Sequence, residues 1–178
     1  MENIIKQIDY LKQKLAVVPS LEVNHSGFVW QASFEWFTPA TSETISEVEA
    51  QLNICLPSDY VAFLAQCTNG AMLFRDVQYG QWGFKLYPIE DLPKKQAFWQ
   101  DSFQTGWQSE FLVFAEMLGE ANALLLDLRN IKENKTACPV VEANAIDSID
   151  EWLVASRSFH EWLDHLMVAQ GAKYWEWR

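Results

Sequence analysis

The stretch from Leu52 to Gly70, LNICLPSDYVAFLAQCTNG, is dense in local folding signals. Pro57 suits the first turn of a helix, where the amide hydrogen that it lacks would have no partner. It also pushes Leu56 out of helical geometry, which marks the helix start. Asp59 falls in the same turn, where the helix dipole favours a carboxylate by about 0.3–1 kcal/mol. The sequence therefore predicts a helix that begins at Pro57.

This helix has one apolar face and a marked end. Four residues recur at the spacing of a single buried stripe: Tyr60, Phe63, Leu64 and Cys67. Asn69 and Gly70 are residue types that accept left-handed backbone geometry at a helix C-terminus. Every marked position thus has a structural role, and we interpret Asp59 as a helix partner rather than a catalytic acid.

Composition indicates an ordinary globular chain with an unusual aromatic content. Its 178 residues suit one domain, and 49% are hydrophobic against 21% charged. Nine tryptophans predict a heavily aromatic core, an aromatic binding surface, or both.

The charge is strongly acidic and unevenly distributed. The formal net charge is −11, and no Lys or Arg occurs between Leu15 and Phe74. Two later blocks, one around Glu116 and Glu120 and one from Glu142 to Asp164, are also poor in bases. Such a chain repels phosphate backbones and anionic lipid, so we expect no direct nucleic-acid or membrane binding. It would attract a basic partner, unless the acidity serves only solubility.

Cysteine usage and the N-terminus predict a cytoplasmic protein. Cys55, Cys67 and Cys138 are odd in number and form no C-x-x-C pair, which argues against a disulfide framework or a zinc site. Charges run throughout the first 18 residues, so we expect neither a signal peptide nor a membrane span there.

Hydrophobic periodicity assigns the first half of the chain. Residues 3–18 form an amphipathic helix that Pro19 ends. The alternating run FVWQASFEWF predicts a half-buried strand with one apolar face: Phe28, Trp30, Ala32, Phe34 and Trp36. Thr44 and Glu47 have the spacing of a capping box and predict the start of a second helix.

The second half is dominated by consecutive strands. AMLF and QWGFKLYPI are predicted strands, the latter with Trp82, Phe84 and Leu86 on one face, and a short helix follows from Pro93 to about Gln104. FLVFA and ALLLDL predict an antiparallel hairpin, CPVVEA another strand, and Ser158 with Glu161 the cap of a closing helix. Because strands do not alternate with helices, we predict a single α+β domain whose largely antiparallel mixed sheet is flanked by helices.

The motif set resembles the SUKH superfamily, of SMI/KNR type, whose members include a fungal regulator of cell-wall synthesis. The resemblance begins with a signature of ten positions: Glu49, Leu52, Leu56, Pro57, Asp59, Tyr60, Phe63, Leu64, Asn69 and Gly70. The segments GFKLYPIEDL, FLVFAEMLGEANALLLDL and VASRSFHEWLDHL are similar to later parts of the family pattern. Two departures are Asn53, where the family often has glycine, and GEAN in place of a Gly-rich hairpin turn.

The resemblance implies a division of the chain. Residues 44–170 correspond to the SUKH-like domain, residues 1–43 to a helix and strand that extend the same domain, and residues 171–178 to a C-terminal tail.

The sequence lacks the common catalytic motifs, as expected of a binding protein. The sequence contains no H-E-x-x-H, G-x-S-x-G, P-loop or G-x-G-x-x-G motif, and its three histidines do not share one helical face. We therefore expect no catalytic residue, no metal and no cofactor. Cys67 is interpreted as an inert core thiol and Asp127 as a turn or cap residue at a strand end.

The resemblance implies recognition, since many bacterial members of the superfamily are immunity proteins that neutralise a cognate toxin, often a nuclease, by occupying it. We expect a non-catalytic module that binds a basic toxin through acidic and aromatic groups. Six residues are the candidates for this contact: Tyr79, Trp82, Tyr87, Glu116, Glu120 and Asp127.

Two other functions stay open at this point. The first is a regulatory or scaffold domain that binds cellular proteins, as eukaryotic relatives suggest. The second is an enzyme of an unrecognised type, which a titratable group of unusual pKa in a deep cleft would favour.

Overall fold

One antiparallel sheet organises the chain. The computed structural model describes residues 2–25, 27–103, 107–129, 131 and 138–177, without the side chains of residues 2, 3 and 25. Eight strands follow one another in chain order across this part of the sheet, each antiparallel to its neighbours. They are β1 (Ser20–His25), β2 (Phe28–Trp36), β3 (Ala71–Asp76), β4 (Phe84–Leu86), β5 (Phe111–Met117), β6 (Asn122–Asp127), β7 (Val140–Asn144) and β8 (Leu153–Ser156).

Helices cover both faces of the sheet. They are α1 (Glu2–Val17), α2 (Ser42–Leu52), α3 (Ser58–Gln66), α4 (Leu92–Ser102) and α5 (Phe159–Val168). Helices α1 and α3 contact α5 on one face, which we call the α5 face. Helix α4 packs on β5 from the other side, the α4 face. The predicted α+β class with a flanked antiparallel sheet is confirmed.

An aromatic cluster joins the sheet to the α5 face. The ring of Phe114 on β5 lies 5.8 Å from Tyr60 of α3. It lies 5.5 Å from Phe159 and 5.2 Å from Trp162 of α5, in edge-on arrangements. These four side chains are at most 1% exposed. Aromatic pairs of this geometry add about 0.5–1.5 kcal/mol each beyond their buried area, so the cluster is a major part of the core.

The carboxylate of Asp59 holds the N-termini of two helices together. One oxygen accepts the backbone N–H of Tyr60 at 2.9 Å, in the first turn of α3. The other accepts the backbone N–H of His160 at 2.9 Å, in the first turn of α5. Both amides belong to the group that has no partner within its own helix. Asp59 is therefore a shared helix cap, a sharper version of the dipole partner expected from the sequence.

Asn69 and Gly70 do not form the end of α3 but contact the segment 88–90, which corrects the expectation from sequence. Helix α3 ends at Gln66 and its C-cap is Cys67. The Asn69 side chain accepts the N–H of Ile89 at 2.8 Å and donates to the Glu90 carboxylate at 2.7 Å. Gly70 has φ +89°, and a β-carbon there would lie 2.7 Å from the Pro88 nitrogen, so the two chain segments cross too closely for any other residue.

The start of α2 also differs from the prediction. The helix begins at Ser42, and the cap is Thr41, whose hydroxyl accepts the N–H of Thr44 at 3.2 Å. Thr44 is thus inside the helix and Glu47 is not part of a capping box. At the other end, Asn53 is the C-cap with φ 52°, a left-handed geometry that explains why glycine suits this position.

The N-terminal segment belongs to the same sheet, because β2 pairs with both β1 and β3. Strand β1 was missed by sequence reasoning because SLEVNH is too short and polar to show a clear period. Lys12 of α1 anchors the segment by donating to the carbonyl of Cys67 at 2.5 Å. Phe28, predicted on the buried face of β2, is 74% exposed because it begins the strand beyond the helical layer.

The observed ends of other helices and strands differ from the predicted ones by a few residues. Strand β4 begins at Phe84, so Trp82 lies in the preceding loop and not on the strand. Strand β8 was not predicted, and α4 starts at Leu92, with its predicted end at Gln104 outside the described residues.

Replacing Asp59 with alanine should destabilise the fold by about 1.5–3 kcal/mol, because two helix caps of about 1 kcal/mol each are lost together. The measurement is urea unfolding followed by tryptophan fluorescence. Ser58→Ala, in the same turn but exposed, is the matched control and should change stability by less than about 0.5 kcal/mol. Equal stability of Asp59→Ala and the control would contradict the shared cap.

Acid should weaken the start of α5 through Glu161. Its carboxylate bonds the Arg157 guanidinium at 2.6 Å and accepts the Arg157 N–H at 2.8 Å, which lowers the pKa of Glu161 to about 2. A carboxyl whose pKa is depressed on folding stabilises the native state above its unfolded pKa, and this contribution is lost as pH falls. We expect the loss between about pH 5 and pH 2, and Glu161→Gln should flatten that part of the stability profile. A profile identical to wild type would refute the assignment.

Candidate partner-binding surface

Four hairpin connections meet at one end of the sheet, which we call the hairpin end. The antiparallel meander places the turn after β1, the loop 77–83, the turn 118–121 and the loop 145–152 on this side. The connections to the helices lie at the opposite end, which we call the helix end. The caps made by Asp59 and Asn69 belong to the helix end, so the hairpin end carries few of the family signature residues.

An exposed apolar patch covers the hairpin end of β2 and β3. Its members are Phe28, Val29, Val77 and Tyr79, which are 74%, 60%, 58% and 71% exposed. Val77 lies beside β2 because its N–H bonds the carbonyl of Gln31 at 2.9 Å, which extends the pairing of the two strands. Phe28 begins the same strand, and the period of two directs its side chain to the face opposite that of Val29. Val29 lies two residues from Gln31 on the same strand. Clusters of exposed large apolar residues mark interaction sites more often than scattered single ones do.

The loop that carries Tyr79 is held from two sides. The Asp76 carboxylate accepts the N–H groups of Gln78 and Tyr79, both at 3.0 Å. Gly119 of the next hairpin lies directly against the Gln81 carbonyl, where a β-carbon would not fit. The patch is therefore presented on a braced loop, which lowers the entropy lost when a partner binds.

A buried ion network lies at the same end, on the β6 and β7 side. The Lys173 ammonium contacts Glu120 at 2.5 Å, Glu142 at 3.0 Å and Glu176 at 3.3 Å. Glu142 also accepts the indole N–H of Trp175 at 2.5 Å. Although burial alone would lower the pKa of Lys173, its hydrogen bonds to Glu120 and Glu142 raise it above the ordinary value. The network fixes the segment after α5 onto the sheet.

An acidic depression of about 220 Å³ borders this network. Four carboxylates line it: Glu142, Asp147, Glu151 and Glu176. Ile146 and Trp177 stand nearby in sequence and are 83% and 65% exposed. Lys173 contacts only two of the four carboxylates, so the depression keeps an excess of negative charge.

The apolar patch and the acidic depression fit within one interface. About four to five strand spacings separate β2 and β3 from β7, which at about 4.8 Å per strand is roughly 20 Å. A standard protein–protein interface of about 800 Å² per partner covers such a distance. The hairpin end therefore combines apolar anchors with an acidic flank on one rigid sheet.

The structure brings together three of the six residues expected to contact a partner. Tyr79, Trp82 and Glu120 all lie at the hairpin end. Glu116 lies on the α4 face, where it pairs with Lys85 at 3.4 Å. Because Glu116 and Glu120 are both engaged in ion pairs, reversing their charges would disturb the fold as well as a partner's contact.

Tyr87 and Asp127 do not reach the hairpin end. Tyr87 is fully buried, and its hydroxyl donates to Glu116 at 2.6 Å and accepts the Trp99 indole N–H at 3.0 Å. Burial and the neighbouring Glu116 raise the pKa of Tyr87. The expectation of an exposed aromatic anchor at Tyr87 is thus corrected. Asp127, 5% exposed at the helix end, accepts the N–H of Arg129 at 3.1 Å and pairs with its guanidinium.

Sequence reasoning missed most of the patch and part of the depression. Phe28 and Val29 were assigned to a strand whose apolar residues face inward, and Val77 stood in no predicted element. Three of the four acids of the depression, Glu142, Asp147 and Glu151, fall in the base-poor block from Glu142 to Asp164, which is the one signal that pointed to this region.

The comparison with known families identifies the chain. The SMI1 / KNR4 family (SUKH-1) matches residues 39–165, which is most of the sequence. The chain belongs to this family. The matched region holds α2 to α4, most of α5 and β3 to β8, while α1, β1 and β2 lie outside it.

Two Bacillus subtilis (strain 168) proteins are similar to the SUKH-1 chain. The uncharacterized protein YnaB is 25% identical over 145 residues, covering 82% of this chain and 88% of its own length. The uncharacterized protein YobM is 23% identical over 142 residues, covering 78% of this chain and 71% of its own length.

Within the described part of the chain, no helix is long and apolar enough to cross a lipid bilayer.

Replacing Lys173 with methionine should destabilise the protein by about 3–5 kcal/mol, because it leaves buried carboxylates without their counter-charge. Thermal unfolding followed by circular dichroism is the measurement. Lys94→Met, at an exposed position of α4, is the control and should leave the midpoint within about 2 °C. A Lys173→Met protein as stable as the control would show that the network contributes nothing to the fold.

Proposed function

We propose that this SUKH-1 protein is a non-catalytic, cytoplasmic immunity-type module that neutralises a cognate toxin by binding it through the hairpin end. The observation that carries the proposal is the juxtaposition of an exposed apolar patch with an acidic depression on one end of the sheet. Membership of a family that includes toxin-neutralising proteins supports the same conclusion.

The apolar patch supplies the affinity in this proposal. Phe28 and Tyr79 are large side chains that a partner would bury almost completely, and such residues dominate binding energy when they fill pockets on the other protein. The neighbouring Val29 and Val77 add apolar area at the centre. Because the loop is already braced by Asp76, little ordering is needed on binding.

In this proposal the acidic depression provides selectivity and raises the rate of association with the partner. A chain of formal charge −11 attracts a basic protein over a distance of about one Debye length, roughly 8–10 Å at physiological salt. Many nucleases carry basic surfaces because their substrates are polyanions. A partner of that kind would place its cations against Asp147 and Glu151 while its apolar residues meet the patch. Its substrate path would then be blocked without any reaction by the immunity protein.

The direct test is co-expression with the toxin, which the proposal expects to be a basic domain encoded by a neighbouring gene. Induction of the toxin alone should stop growth, and induction together with this chain should restore it. Cells that still die, although the protein accumulates in soluble form, would contradict the immunity function.

The surface is tested with a double variant, Val77→Ser with Tyr79→Ala. Loss of two anchors should weaken binding by at least about 30-fold, or roughly 2 kcal/mol, measured by isothermal titration with the inactivated toxin. The matched control is Val168→Ser with Phe98→Ala, which removes two side chains that are 76% and 58% exposed on α5 and α4. Equal affinities for the two double variants would exclude the hairpin end as the binding surface.

A further inference from the structure

Within the part of the chain that the structure describes, the edge strand β1 has backbone groups that pair with no other strand. The carbonyl of Gln31 bonds the N–H of Val77, the residue that follows β3, so the backbone of Gln31 is directed away from β1. Glu22 is opposite Gln31 in the register, and in an antiparallel ladder the backbone groups of such a pair point outward on both sides. The period of two then directs the N–H and C=O groups of Ser20, Glu22 and Asn24 toward the open edge.

This edge lacks the features that usually protect a sheet. Natural edge strands are blocked by proline, by lysine, by a bulge or by a covering segment. The six residues SLEVNH contain neither proline nor lysine, and the register with β2 is regular from Ser20 to His25. The edge therefore offers a six-residue template for another strand.

A cavity lies beside the edge on the α5 face. It has a volume of 270 Å³ between α1, β1 and the end of α5. Its lining combines six apolar residues with four polar ones: Ile8, Leu11, Leu21, Val23, Phe74 and Met167, with Gln7, Lys14, Glu22 and Gln170. A cavity of about 150 Å³ is enough for a benzene-sized group, so this one accommodates a large apolar side chain. Leu21 and Val23 line it from β1, so the side chains of an added strand on that face would lie next to it.

We propose that β1 accepts an extended segment of a partner protein as a ninth strand, with an apolar side chain of that segment in the α1–β1 cavity. Backbone hydrogen bonds to the edge give affinity in this mode of recognition, and alternate side chains give specificity. The inference rests on the proposed function in one respect only, that the chain acts by binding a protein.

The charge of Glu22 determines which kind of partner segment can pair with β1. Glu22 has its side chain on the α4 face, and its neighbours on that face, Ser20 and Asn24, are neutral. The residue of the ninth strand beside Glu22 is therefore a lysine or arginine, flanked on the α5 face by apolar residues. The net charge of −11 favours such a basic segment as well.

A second copy of the chain is a poorer occupant. Any antiparallel register that pairs most of β1 with itself places the two Glu22 side chains opposite or within two positions of each other. Like charges at such positions destabilise a sheet, and two chains of charge −11 repel one another.

The test is selection of ten-residue peptides from a displayed random library on the full-length protein, followed by binding assays on two variants. Asn24→Pro removes an outward N–H without breaking the ladder to β2, and Asn24→Ala is its matched control with the N–H retained. We expect selected peptides with alternating apolar and basic residues, binding at least tenfold more weakly to Asn24→Pro than to Asn24→Ala. Circular dichroism establishes that both variants are folded.

A second readout needs no variant. In the wild-type protein, a selected peptide should slow hydrogen exchange at the amides of Ser20, Glu22 and Asn24. Peptides that bind the two variants equally, exchange that is unchanged at those amides, or a library that yields no binders would overturn the inference. If the chain rescues growth in the co-expression assay but no selected peptide depends on the β1 edge, only the ninth-strand proposal is refuted. If peptides do bind the edge but the chain does not rescue growth, only the toxin-neutralising function is refuted.

Discussion

The carboxylate of Asp59 fixes the relation between α3 and α5, although Asp59 and His160 are 101 positions apart in sequence. By capping both helices at once, it aligns the side chains that meet Phe114 of β5 on the sheet. Both helices thus begin at one carboxylate, and each places aromatic rings against the same residue of the sheet.

The same arrangement separates folding from recognition. Asp59, Asn69 and Gly70 act at the helix end and in the interior, where each satisfies backbone groups or permits a close crossing. The hairpin end carries exposed apolar side chains in addition to the acids that hold Lys173. A sheet made rigid at one end can therefore present a partner-specific surface at the other.

Much of the fold could be predicted because its signals are local. The period of β2, the proline before α3 and the Ser158 cap of α5 each depend on a few neighbouring residues, and each was placed within a few positions. Strands β1 and β8 were missed because they are short and draw their stability from a neighbouring strand rather than from their own pattern. The role of Asn69 was misassigned because its partners, Ile89 and Glu90, are about 20 residues away.

The site was harder to predict, because exposure depends on which segments pack against a residue. Tyr79 and Tyr87 are the same residue type only eight positions apart, yet one is 71% exposed and the other is fully buried under α4. Lys173 stands in the segment that was assigned to a C-terminal tail, and it pairs with Glu120 and Glu142. Charge blocks indicated the acidic region, whereas the apolar patch required knowledge of the strand register.

Hydrogen exchange of the protein in complex with its toxin tests the central claim most directly. The account predicts slowed exchange in residues 77–83, 118–121 and 145–152, with the helix end around Asp59 and Asn69 unchanged. Protection confined to the helix end or to α4, with the hairpin end exchanging as in the free protein, would contradict it.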